Sequence, residues 1–178
     1  MMMHLVLSKK ILSSAVKLLT ILTLCSPAHE AIALPRETAF PFPSFVYPVM
    51  NPRKSSSFGG RLHPVLHYLK HHNGIDLAAP SGSQIRAIAG GTVVFADPYA
   101  GYGNLVVVQH TNGITSHYGH CDKISVRPGT KVKPGQIIAT VGETGITTGP
   151  HLHFELRLNG IPQNPEQYLP GLVEAAAG

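Results

Sequence analysis

The stretch His151-Leu152-His153-Phe154-Glu155-Leu156-Arg157-Leu158 alternates polar and apolar side chains without interruption. Successive side chains of a strand point to opposite faces, so this pattern predicts a strand that is half core and half site. Leu152, Phe154, Leu156 and Leu158 share the face that builds the core. His151, His153, Glu155 and Arg157 share the other. Two histidines on one polar face, directly after Thr147-Thr148-Gly149-Pro150, are placed for one ligand and one catalytic partner.

The rest of the chain agrees with a β reading. Ile85 to Ile88, Thr92 to Ala96, Leu105 to His110, Gly113 to His120 and Gln136 to Val141 are short β-type runs. Turn residues separate them, as at Thr111-Asn112-Gly113 and Arg127-Pro128-Gly129. No segment carries a 3.6-residue apolar period over three turns. With 18 glycines, 15 prolines and 13 % charged residues, the composition also argues against a helical bundle or a disordered tail. The expected fold is mostly antiparallel β in a single domain.

A faint repeat adds detail. Ser81 to Ala96 and Pro128 to Gly142 each read as a turn, a short strand, a glycine turn and a longer apolar strand. This duplicated shape suggests a barrel-sandwich-like core, as in lipoyl and biotinyl carrier domains. A carrier needs a modifiable lysine at a hairpin tip, and neither Gly90-Gly91 nor Pro134-Gly135 offers one.

Residues 1–33 read as a signal peptide. Lys9 and Lys10 precede an apolar run, and Ala31-Ile32-Ala33 fits a cleavage site. The run is shorter than the ~20 residues a spanning helix needs, and Lys17 interrupts it. Lipid attachment at Cys25 is a lesser alternative, because Leu24 is bulky. Residues 34–54, rich in proline and aromatics, form an extended lead-in; 55–170 form the domain, and 171–178 a tail. Removal of residues 1–33 takes the formal charge from +5 to +3, since Lys9, Lys10, Lys17 and Glu30 leave. That is too little to argue for nucleic acid. Of the two cysteines only Cys121 remains, so no internal disulfide is available.

Two further segments carry histidines. In His72-Asn73-Gly74-Ile75-Asp76 a histidine and an aspartate can fold back onto one ion across a bend that the glycine permits. Alone, this is a weak signal. In Thr115-Ser116-His117-Tyr118-Gly119-His120, strand parity puts His120 with Ser116 and Tyr118 and turns His117 the other way. Only one of the two histidines can easily face a shared cleft, and the pattern does not say which.

Taken together these segments resemble the lysostaphin-type (LytM-type) zinc metallopeptidases, which cut cross-links in bacterial peptidoglycan. The resemblance runs from about Ser57 to Leu169. It covers Phe58-Gly59-Gly60-Arg61-Leu62-His63-Pro64, His72 to Asp76 with Ala79-Pro80, and Tyr118-Gly119-His120. It continues through Gly142-Glu143-Thr144-Gly145 and Thr148 to Glu155, ending at Asn164-Pro165. The resemblance implies that His72, Asp76 and His153 hold one zinc ion and that His120 and His151 are the catalytic histidines. Three protein ligands leave a position open, as a catalytic zinc requires.

Arg61 and His63 would support the cleft wall. His67, His71 and His117 fall outside the pattern, His110 reads as structural, and Cys121, where leucine is usual, as a buried apolar residue. The implied activity is hydrolysis of peptidoglycan peptide stems by a monomer. It would be exported to the periplasm or cell envelope, or secreted, and keep no membrane span after cleavage. With no His-Glu-x-x-His helix, a histidine must serve as base, and His120 is favoured. The rival reading is a non-enzymatic LytM-type activator of cell-wall amidases, which would lack zinc ligands.

Overall fold

The alternating segment forms strand β11 (His151–Leu158), and the sheet is arranged around it. The computed structural model describes residues 45–51, 53–62, 65 and 67–169, all within the compact unit Phe42–Gly178. The expected leader over 1–33, Cys25, His63 and the expected tail over 171–178 lie outside the described residues.

On one side β11 pairs with β4 (Ile75–Ala78), which pairs with β1 (Arg53–Ser56). On the other side it pairs with β8 (Ile114–Ile124), followed by β7 (Asn104–Gln109), β6 (Gly91–Pro98) and β9 (Lys131–Val132). A short strand, β12 (Ile161–Gln163), adds to β11. All pairings are antiparallel, and the sheet is not closed into a barrel. A separate hairpin joins β2 (Gly59–Leu62) to β3 (Leu69–His72). Among the described residues helix is confined to two 3-10 turns, and no helix is long and apolar enough to cross a membrane.

Local chemistry explains the hairpins. Asn112-Gly113, with φ of 56° and 72°, turns β7 into β8; Asn159-Gly160, at 50° and 82°, turns β11 into β12. Two consecutive positive φ values make a type I′ turn, whose twist matches that of paired strands and which favours Asn-Gly.

The faint repeat is visible as crossed pairing. β5 (Gln84–Arg86) and β6 belong to its first half, β9 and β10 (Ile137–Val141) to its second. β5 pairs with β10 and β6 with β9, so each half completes the other. Along the edge of β5, Val46 N–H donates to the Ile88 carbonyl and Arg86 N–H to that of Pro48, both within 2.9 Å.

The core lies under the apolar face of β11. Leu152, Phe154 and Leu156 are buried there with Ile75, Leu77, Val106, Val108, Tyr118 and Ile138. The opposite face of β11 lines a cleft, and that separation of faces positions everything below.

Candidate metal centre

Three acceptor atoms converge on the cleft face. β3 ends on His72, β4 carries Asp76, and β11 carries His153 directly opposite Asp76 in the β4–β11 register. His72 Nε2 is 3.1 Å from Asp76 Oδ1, His153 Nδ1 is 2.9 Å from it, and the two nitrogens are 3.0 Å apart. All three residues are buried.

Gly74 lets the β3–β4 connection reach this position. A Cβ there would overlap the Phe154 carbonyl oxygen. Its φ is not positive, so the need is close approach to β11 and not the backbone angle expected from the sequence.

The outer hydrogen bonds decide what these atoms can do. A carbonyl oxygen can only accept, so His72 Nδ1–H donates to Ser57 O at 2.8 Å and leaves Nε2 as a lone pair. His153 Nε2–H donates to the Glu155 carboxylate at 3.0 Å and leaves Nδ1 as a lone pair. In these tautomers two lone pairs and a carboxylate face one another. Such a cluster calls for a cation.

The pKa shifts point the same way. Burial pushes Asp76 up, but hydrogen bonds and charge from His153 and His72 hold it well below the usual carboxylate range. Burial pushes His153 down, and its bonds to Asp76 and Glu155 push it up further than that. A proton or a metal ion would answer the same electrostatic demand. The donor set fits zinc: bonds of ~2.0–2.1 Å in a tetrahedron imply donor separations of about 3.3 Å, close to those seen.

His120 and His151 complete the site, with rings 4.7 Å apart, and His120 is 5.8 Å from the His153 ring. His151 Nδ1–H donates to Gly149 O at 2.8 Å, and its Nε2 lies 3.6 Å from Asp76 Oδ1. His120 Nδ1–H donates to Thr144 O at 2.8 Å, which leaves Nε2 as its lone pair. Thr144 is itself fastened, its Oγ1 donating to Cys121 O and accepting from Asn104 N–H. Burial brings the His120 pKa down to about 4, so the ring is neutral near neutral pH.

Strand parity misplaces His120. Ser116 and Tyr118 point into the core, yet His120 faces the cleft with His151 and His153. The reason is local: His120 has a φ of 60°, a left-handed residue that breaks the alternation just before Cys121 returns to the core.

Other residues fall as follows. Cys121 is fully buried, and burial pushes its thiol up to about 12. His110 is buried with both ring nitrogens engaged, at 2.8 Å to Gly90 O and 2.8 Å to Ser116 Oγ. His117 lies on the Glu155 side of β8, 3.1 Å from Thr115 Oγ1. His67 and His71 are exposed.

Reading the residues singled out no role for Tyr102 or for the Glu155–Arg157 pair. Tyr102 O–H donates to Glu155 Oε1 at 2.7 Å, and Arg157 Nε donates to Oε2 at 2.7 Å. Burial is the largest influence on Glu155 and would raise it, but His153, Tyr102 and Arg157 bring it down to about 2, an ionised anchor for His153. Arg157 was visible in the alternation; Tyr102, in a glycine turn, gave no local signal.

Comparisons with known proteins bear on the family and the fold. The profile described as Peptidase family M23 matches residues 70–165. The chain is 47 % identical over 120 residues to the DD-carboxypeptidase/endopeptidase Mpg of Neisseria meningitidis, covering 67 % of this chain and 28 % of that protein. It is 46 % identical over 100 residues to the murein hydrolase activator NlpD of Salmonella typhimurium, covering 56 % and 26 %. A solved zinc-containing peptidase from Vibrio cholerae superposes with a TM-score of 0.66 at 39 % identity, over 71 % of this chain and 41 % of that one. The chain thus spans less than a third of the length of these two sequence relatives.

Proposed function

This chain belongs to peptidase family M23, and on that premise we propose that it is a zinc-dependent endopeptidase hydrolysing peptide cross-links of bacterial peptidoglycan. One observation carries the reading: His72 Nε2, Asp76 Oδ1 and His153 Nδ1 converge within 3.1 Å of one another, beside two histidines whose Nδ1 atoms are already committed.

His72, Asp76 and His153 would hold the ion. When bound, zinc supplies Lewis-acid polarisation of the scissile carbonyl and makes water more acidic. The chain's own residues do the rest. His120, kept neutral by burial and oriented by Thr144 O, takes the proton of the attacking water at Nε2. The proton that His120 has taken goes on to the leaving amine, and His151, its ring oriented by Gly149 O, lines the place of the developing oxyanion. Glu155, with Tyr102 and Arg157 behind it, keeps His153 in the Nδ1 lone-pair tautomer.

The similarity to an activator supports a second reading, a non-enzymatic partner of cell-wall amidases. The complete set of five side chains favours hydrolysis, because a purely activating domain has no use for a poised base. Residues 1–33 as a signal peptide and export to the envelope belong to the same proposal, as does a monomeric state.

The test is digestion of purified sacculi with the zinc-loaded chain, the fragments resolved by chromatography and mass spectrometry. Newly uncross-linked stems, lost on chelation and restored by zinc, are expected. Intact sacculi with a fully loaded protein, while an added amidase is stimulated, would replace the enzyme with the activator.

A further inference from the structure

The β2–β3 hairpin carries two cations toward the cleft that the hydrolytic reading leaves unused. Its register sets Gly59 opposite His72 and Arg61 opposite Lys70. Residues two apart on a strand share a face, so Lys70 lies on the face of the ligand His72, with Arg61 directly across from it. Directly opposed side chains have Cβ atoms about 5 Å apart, and like charges so placed repel. Both residues line the cleft of about 550 Å³ that contains the metal centre.

The guanidinium of Arg61 is fixed on one corner only. Nη1 lies 2.6 Å from Ser56 Oγ and 3.0 Å from Asp76 Oδ2. Nε and Nη2, whose N–H bonds run parallel along one edge, have no partner among the described residues. That edge is the fork that takes a carboxylate in two bonds. Lys70 is exposed and has no ion pair among the described residues. A repelling pair with an unspent fork is a site for an anion.

We propose that Arg61 and Lys70 form a carboxylate subsite beside the metal centre, which holds a free α-carboxylate on the residue that supplies the leaving amine. The inference rests on the hydrolytic reading of the same cleft. Distance selects that carboxylate. Its carbon is three bonds from the reacting carbonyl carbon, within about 4 Å. Arg61 touches the ligand Asp76, so an anion on its fork lies one residue from the scissile bond at most. Two substrates have this chemistry: a stem ending in a D-amino acid, and a direct cross-link whose acceptor keeps its own carboxylate. A glycine bridge has none next to its scissile bond.

The experiment uses the zinc-loaded full chain and two pairs of probes. One pair is diacetyl-L-lysyl-D-alanyl-D-alanine and its C-terminal carboxamide. The other is a directly cross-linked muropeptide dimer with the acceptor carboxylate free or amidated. Binding is followed by calorimetry and cleavage by chromatography. The free acid should be preferred by about tenfold or more, the factor one charge-assisted hydrogen bond supplies.

Lys70→Met should cut that preference several-fold with melting temperature and zinc content unchanged, and Arg61→Gln should cut it further. Because Arg61 also touches Asp76, zinc is measured on every sample; Lys70→Met carries the test if Arg61→Gln loses metal. Equal binding of acid and amide, no measurable binding of the acid, or a full preference retained in Lys70→Met would overturn the subsite. Preferential binding of the acid without cleavage would keep the subsite and sink the hydrolytic reading. The pair preferred tells whether the carboxylate is that of a chain end or of a cross-link.

Discussion

β8 separates two kinds of histidine cluster. On its core side, His110 is bonded through both nitrogens, and Ser116 Oγ is 2.9 Å from the Tyr118 hydroxyl, which accepts the Ile88 N–H. Nothing there is left over. On the cleft side, His72, His120, His151 and His153 each commit one nitrogen to a carbonyl or carboxylate and aim the other at acceptors or at the cleft. Burial is similar in the two regions; satisfaction is not. A histidine with both nitrogens engaged holds the fold together, whereas one with a spare lone pair is available for chemistry.

The largest break in this contrast should come from His153→Ala. It removes one of the three proposed ligands and should abolish both zinc occupancy and hydrolysis, read by elemental analysis and muropeptide release. A variant that kept full zinc and full activity would show that the converging triad is not the metal site.

Next, His120→Ala and His151→Ala should keep most of the zinc yet lose roughly 10²–10⁴-fold in turnover, the usual yield of a general acid–base group. His117→Ala, on the same strand but outside the site, should be much milder. If His117→Ala were the inactive variant, the left-handed turn at His120 would have been misread.

The core side should answer in stability and not in rate. His110→Ala strands Ser116 and the Gly90 carbonyl, so it should cost about 1–3 kcal/mol in denaturant unfolding. Zinc content and kcat of the folded fraction should be unchanged. Loss of turnover at unchanged stability would erase the distinction between the two clusters.

The smallest effect is a pH dependence outside the ligand set. Burial, with Arg157 next in weight, brings the His117 pKa down to about 4 from an unfolded value near 6.5. Between those values the unfolded chain binds more protons, so stability is full above pH ~6.5 and falls as pH drops toward 4. Melting of the apo protein from pH 7 to 4 should therefore fall less steeply in His117→Asn. Identical slopes would mean that His117 is charged in the folded state.

The longer strands were legible in the sequence, because a period of two is a local property, whereas the short strands β1 to β4 and β12 carry too few residues to show one. The eight-residue alternation of β11 put His151, His153, Glu155 and Arg157 on one face and the core leucines on the other. The Asn112-Gly113 turn was equally local. The gathering of distant segments was legible only through resemblance, since no spacing rule says that β3, β4 and β11 meet.

Three things needed the tertiary structure. The register that sets Asp76 opposite His153 depends on pairing between strands more than seventy residues apart. The aim of His120 depends on a single left-handed residue, stabilised by Thr144 from a separate loop, and it reverses what parity predicts. The spare fork of Arg61 depends on which of its nitrogens Ser56 and Asp76 engage. Periodicity records which way a side chain points from its own strand. Whether its donors and acceptors are satisfied is a property of its neighbours, and those come from elsewhere in the chain.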